Sequence, residues 1–368
     1  MNMESFDKIE SQVSRLLSAA CYDSAETICS LYLSSLSRAE SKNSAKFHHA
    51  ALELLGDIIF QKGEYKRALS YYKQSSIQKK LAVGSGNRSR SNSIDSTVDG
   101  QLRYKQCLCH IELKDTTTAI REFEAIPTQW RDFKINMCMG KLYKSTNLKR
   151  HAVSCFTLAV SEMPSAIEAI EALVLLGIES EELISLLDKA CKQNAESSVY
   201  SDGWIQSLGA SLIQKRNYDH DNCDIKLQNL LFTFPKNSYI LTLIAKNAMN
   251  AEKFEVALGY FKQVRKIDPL AIDFMDQYGL LLVQLSDETE LNKLAHELLG
   301  ISNEKAVGWL LVAMYCDFKR DSEKAMYFVE KVSRMLLRHL HLYLLSAKYF
   351  FKYFFYFLFT SYLTFQLN

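Results

Sequence analysis

Proline and glycine are scarce in this chain: 4 and 13 in 368 residues. So few breakers, with 48% hydrophobic residues, suit a long helical protein. A surplus of one charge is also missing. Formal net charge is +2, which speaks against a dedicated nucleic-acid surface, since that needs a clustered basic face. Paired metal-binding cysteines are absent too. The 9 cysteines are scattered singly, apart from Cys107 and Cys109. Those two lie about 200° apart around a helix and do not converge on one ion. No metal is expected, and Cys155 and Cys223 read as packing groups in a reducing compartment. None of the 8 histidines sits in an H-E-x-x-H setting. His151, beside Ala152, reads as a solvated or packing side chain. GSGNRS at 84–89 lacks the Gly-Lys-Ser/Thr ending of a phosphate loop. No serine sits in a nucleophile turn. No catalytic residue and no cofactor site is expected, and MNMESFDKIE is no secretory leader.

What the chain does have is a pitch. Ala119 and Ala152 are 33 apart, and Ala257, Leu291 and Ala325 are 34 and 34 apart. Ala152 to Ala257 is 105, close to three more periods. Self-similarity near 34 residues is the mark of the tetratricopeptide repeat, a helix–turn–helix that buries its apolar face only by stacking on its neighbours. Residues 133–166 show the phase most fully, with Met139-Gly140, Tyr143, Ala152, Phe156, Ala159 and Pro164. Gly140 and Ala152 belong where two helices cross, Phe156 and Tyr143 fill the space beside the crossing, and Pro164 stops the second helix. Residues 49–82, 238–271 and 306–339 repeat the pattern. The expected fold is all-α, a tetratricopeptide-repeat solenoid wound as a right-handed superhelix whose concave surface holds other proteins.

Five zones follow. Residues 1–45 are N-terminal helices, a degenerate repeat or capping pair. Residues 46–83 are a clear repeat. Residues 84–100, rich in Gly, Ser and Asn, read as a disordered loop. Residues 101–335 hold about seven repeats, of which those near 168–235 are the most degenerate. Residues 336–368 do not fit. More than a third of them are Phe or Tyr, and Phe359 stands where the period asks for a small residue. The uncharged run after Lys352 is about 16 residues, short of the roughly 18–20 that a spanning helix needs. Three readings stand: an irregular last repeat, a short membrane anchor, or AT-rich noncoding sequence read as protein.

Several segments resemble those of one family. They are GEYKRALSYYKQS (63–75), ELKDTTTAIREFEAIP (112–127), KINMCMGKLYK (134–144), DPLAIDFMDQYGLLL (268–282) and ISNEKAVGWLL (301–311). With the Ser-rich insert after the first clear repeat, they are similar to the seventh-subunit family of the anaphase-promoting complex, or cyclosome. The resemblance covers about residues 12–332. It implies a non-catalytic scaffold in a multisubunit ubiquitin ligase of mitotic exit, in nucleus and cytoplasm, whose partners are other cyclosome subunits of the repeat lobe. It also implies a homodimer through the N-terminal repeats, here roughly residues 1–160. The family continues with further repeats and an acidic tail, so the resemblance implies a chain truncated or misread at its C-terminus.

Candidate contact residues follow from repeat geometry. Helix-A positions 2, 5, 9 and 12 face the concave groove. In the repeat starting at Phe133 these are Lys134, Met137, Lys141 and Lys144; in the one starting at Ser238 they are Tyr239, Thr242, Lys246 and Met249. Lysines on one rung suit an acidic partner, although an ordinary solvated helix face has the same sequence. Met137 and Lys141 stand where a co-chaperone would carry its Lys/Asn clamp, which argues against that class. A generic repeat adaptor, or one tethered to a membrane by the aromatic tail, remains open. An apolar face on a terminal repeat needs a cover, so Leu16, Leu17, Ile28 and Leu31 are expected at the dimer contact. Ser93, with Arg90 and Arg88 before it, is a candidate phosphosite.

Overall fold

The computed structural model describes residues 3–37, 42–84, 94–194 and 203–338. Among them the chain forms eighteen α-helices. They pair as hairpins, each with a first (A) and a second (B) helix. The pairs are α1 (Met3–Ser18) with α2 (Tyr22–Ser37), α3 (Lys42–Gln61) with α4 (Tyr65–Gly84), and α5 (Ile94–Glu112) with α6 (Thr116–Glu124). Next come α7 (Phe133–Ser145) with α8 (Lys149–Glu162), α9 (Ile167–Leu176) with α10 (Ser180–Gln193), and α11 (Trp204–Arg216) with α12 (His220–Thr233). The last are α13 (Ser238–Asn250) with α14 (Phe254–Ile267), α15 (Met275–Gln284) with α16 (Glu288–Ile301), and α17 (Ala306–Phe318) with α18 (Ser322–Arg338). They fall into two compact units, Met1–Ala159 and Val160–Asn368.

One turn recurs in all nine hairpins. The residue closing the A helix is left-handed: Ala20, Gly63, Lys114, Asn147, Gly177, Tyr218, Glu252, Ser286 and Arg320, with φ from 55° to 95°. The next N–H reaches back five residues, as in Leu148 N–H to the Tyr143 carbonyl at 2.9 Å and Asp287 N–H to the Leu282 carbonyl at 2.9 Å. This closure satisfies carbonyls that the helix end would otherwise leave bare. In several turns the donor residue then caps the B helix. The carboxylates of Asp115, Asp219, Asp287 and Asp321 each accept the backbone N–H three residues on. A short polar residue there ends one helix and starts the next.

The periodic residue is the fourth of each B helix: Ala25, Ala68, Ala119, Ala152, Leu183, Cys223, Ala257, Leu291 and Ala325, all at or near zero exposure. The A helix offers its own small residue to the crossing. A Cβ added at Gly140 would stand 2.7 Å from the Phe156 ring, and one at Gly56 would stand 2.5 Å from Tyr72. The steric argument from sequence therefore holds at named atoms. Fully burying a side chain of that kind contributes about 1.5–3 kcal/mol. All four prolines lie just beyond B helices: Pro127 after α6, Pro164 after α8, Pro235 after α12 and Pro269 after α14. The fold is thus an all-α tetratricopeptide-repeat array. In the first unit Leu55, Ile58, Ala68 and Tyr72 centre one core. In the second, Ala257, Phe261, Tyr278 and Leu291 centre another, with Phe261 stacked on Tyr278 at 5.2 Å.

Two expectations need correction. Residues 94–100 are not loop but the opening of α5. The composition is poor for a helix, yet buried Gly100 fits beside Trp130 and Ile126, and tertiary packing overrides local preference. In the N-terminal pair, α1 and α2 carry the same left-handed turn at Ala20 and the same buried alanine, Ala25, as the rest. The edge drawn at residue 45 falls inside α3.

Candidate partner-binding face

The lysine rung of the first unit lies where the register puts it. Ile135, Met139, Gly140, Leu142 and Tyr143 of α7 point into the core. Lys134 and Lys141 are exposed on the opposite side, and Met137 and Lys144 are half-buried between them. The first turn of α7 is fixed by Asp132, whose carboxylate accepts the Ile135 N–H at 2.9 Å. The same carboxylate accepts from the Gln101 amide at 2.9 Å. His151 is exposed, with its ring 5.3 Å from Tyr143.

The corresponding rung in the second unit differs. Thr242 is buried and donates its hydroxyl to the Ser238 carbonyl at 2.7 Å, so it presents nothing to a groove. Tyr239 donates to the Glu171 carboxylate on α9 at 2.7 Å. Met249 packs against the core. Lys246 is half-buried, its Nζ 3.2 Å from the centre of the Phe274 ring. Burial, and then the neighbouring Lys215 ammonium, pull the Lys246 pKa down to about 7, while Asp276, Glu171 and Asp273 act the other way. Burial also lowers Lys215 on α11 and raises the Asp276 carboxyl on α15. Lys215 was not singled out from sequence. Counting back from Cys223, the periodic residue of its hairpin, would have put it at position 12 of helix A, a groove position.

The expected dimer face is largely spent inside the chain. Leu16, Leu17 and Ile28 pack partly against the core that holds Val13, Ala25 and Leu55. The reason is that α1–α2 stacks on α3 like any other hairpin. Of the four, Leu31 alone is left open, at 66% exposure. Ser93 and residues 339–368 lie outside the described residues. Among the described residues no helix is long and apolar enough to cross a membrane, and no group of His, Cys, Asp and Glu could hold a metal ion.

The chain is similar to subunit 7 of the anaphase-promoting complex. The Arabidopsis thaliana protein of that name is 28% identical over 353 residues, covering 91% of this chain and 62% of that protein. The Homo sapiens protein is 25% identical over 292 residues, 76% of this chain and 50% of that one. A shorter stretch of 77 residues is 42% identical to the Homo sapiens cell division cycle protein 23 homolog. No family model matches. The crystal structure of the anaphase-promoting complex hetero-tetramer Cut9–Hcn1 matches with a TM-score of 0.61 at 20% identity, covering 90% of this chain and 59% of that one. That match bears on the fold alone. The chain thus spans between half and two-thirds of the length of these subunit-7 relatives. The resemblance read from the five sequence segments is the one these relatives carry.

Proposed function

We propose that this chain is a non-catalytic scaffold of the anaphase-promoting complex, holding other subunits of that ubiquitin ligase on the A-helix faces of its hairpins. The observation that carries the reading is identity to a subunit-7 protein along 91% of the chain. The fold is suited to the task, since stacked hairpins offer long faces to other proteins. On this reading the chain works in nucleus and cytoplasm. It pairs with a second copy through its first unit, with Leu31 the exposed apolar contact on α2. The test is affinity purification of the tagged full chain from dividing cells, followed by mass spectrometry. Recovery of other cyclosome subunits at near-stoichiometric yield is expected. A purification that brings down chaperones or membrane proteins but no cyclosome subunit would overturn the proposal. Sedimentation of the purified chain at micromolar concentration tests the pair: a dimer is expected, and a monomer counts against it.

A further inference from the structure

Two lysines of the second unit lack what half-buried lysines ordinarily have. Lys215 and Lys246 come from neighbouring A helices, α11 and α13, and are near enough for the first to oppose protonation of the second. Among the described residues, no carboxylate pairs with either within 4.0 Å. The acids around them act on Lys246 without forming an ion pair with it. Glu171 accepts from Tyr239 at 2.7 Å, Asp273 lies 4.0 Å from Lys305, and burial raises the Asp276 carboxyl. A half-buried ammonium with no counter-charge is costly, and such a cost persists where something else repays it.

One further observation points to the same place. Phe274, which meets Lys246, has φ +67°, a left-handed conformation that bulky side chains rarely adopt. Strain of this kind clusters where a structure holds a group ready for a ligand.

We infer that the A-helix face of the second unit receives an acidic, extended segment of a partner protein, one carboxylate of which sits between Lys215 and Lys246 against Phe274. The occupant follows from charge: a carboxylate supplies the contact ion pair that both ammoniums lack, and a neutral amide does not. The inference rests on the scaffold reading and adds to it the chemistry of the segment held. A proton linkage comes with it. Lys246, at about 7, is only partly charged near neutrality, and an incoming carboxylate recharges it. Binding therefore takes up a proton and weakens as pH rises. The charged fraction drops from roughly nine-tenths to roughly one-tenth between pH 6 and 8, about tenfold in affinity. Lys215 on α11, Glu171 on α9, Asp273 in the segment before α15 and Asp276 on α15 are the charged groups facing Lys246 and set where that window lies.

The test uses the full chain and a fluorescein-labelled decapeptide alternating Glu and Gly, with a Gln–Gly peptide as its neutral twin, read by anisotropy from pH 6 to 8. The Glu peptide is expected to bind at least about tenfold tighter than the Gln peptide at pH 6, and to lose about tenfold by pH 8. Lys246→Met should cost about tenfold and flatten the pH slope. Lys246→Arg should keep the affinity and lose the slope, because guanidinium does not titrate there. Lys189→Met, exposed on the B helix α10, should change neither. Equal binding of the two peptides overturns the inference. So does Lys246→Met binding like the parent while folded by circular dichroism, or an intact slope in Lys246→Arg. Recovery of cyclosome subunits is scored separately on the same variants. Its loss with peptide binding intact counts against the scaffold reading alone. Loss of peptide discrimination with recovery intact counts against this site alone.

Discussion

Lys141 on α7 and Lys246 on α13 occupy the same position, the ninth of an A helix, yet they live in different surroundings. Lys141 stands in solvent; Lys246 lies half-buried on an aromatic ring. Their own helices do not explain this. Each is followed by a standard turn and a B helix with a buried alanine, Ala152 or Ala257. What differs for Lys246 is the neighbour that follows. Segment 268–274 runs on past Pro269 before α15 begins at Met275, and the left-handed Phe274 swings its ring onto the lysine. Register decides where a side chain points. The next connection decides whether it meets water or protein.

Perturbations of the two rungs separate these effects. The largest is expected at the crossing itself. Gly140→Leu drives a side chain into Phe156, and overpacking of this kind costs about 1–3 kcal/mol. Gly259→Leu on α14, where a Cβ meets nothing within 4 Å, should change stability by under about 0.5 kcal/mol. Denaturant titration of the two variants checks both.

A smaller effect is expected at Lys246. Its pKa is lowered in the fold from the ordinary 10.5 to about 7. Between those values the unfolded chain binds more protons than the folded one, so this group's contribution to stability rises with pH across that window. Lys246→Met should accordingly melt a few degrees higher than the parent at pH 6–7, the gain shrinking toward pH 10. Lys141→Met should show no such pH dependence. Thermal melts at a series of pH values decide it.

At the start of the first rung, Asp132→Ala removes the cap of α7 and should cost about 1 kcal/mol by denaturant titration. The smallest change is at a turn. Tyr218, 79% exposed at φ 61°, pays for a left-handed backbone that glycine adopts freely, so Tyr218→Gly should stabilise by a few tenths of a kcal/mol. A destabilised variant would mean that the ring contact with His220 outweighs the backbone relief.

Much of this was legible in the residues. Ala257, Leu291 and Ala325 give the period because a crossing accepts little bulk, and the prolines close B helices because they cannot continue them. The middle of the array hid its register for a physical reason. α9 has 10 residues where α7 has 13, while a longer stretch separates Gln193 from Trp204. The spacings from Ala152 to Leu183 and from Leu183 to Cys223 become 31 and 40. A shortened A helix and an insertion nearly cancel, so the overall phase survives while the local one is lost. The opening of α5 was hidden because contacts at Gly100, distant in sequence, decide it. Lys246 was read as a groove position of its A helix, but its burial depends on the backbone of Phe274, a residue of the following repeat. Lys215 went unremarked because its hairpin carries Cys223 in place of alanine.

The central claim is that A-helix faces of these hairpins hold cyclosome subunits. Site-specific photo-crosslinking tests it most directly, with the reactive amino acid placed in the full chain at Lys134, Lys141 or Lys246, and at Phe232, 91% exposed on the B helix α12. The account predicts crosslinks to other cyclosome subunits from the A-helix positions and few from Phe232. Crosslinks to those subunits from Phe232 alone, or to none from any position, would contradict it.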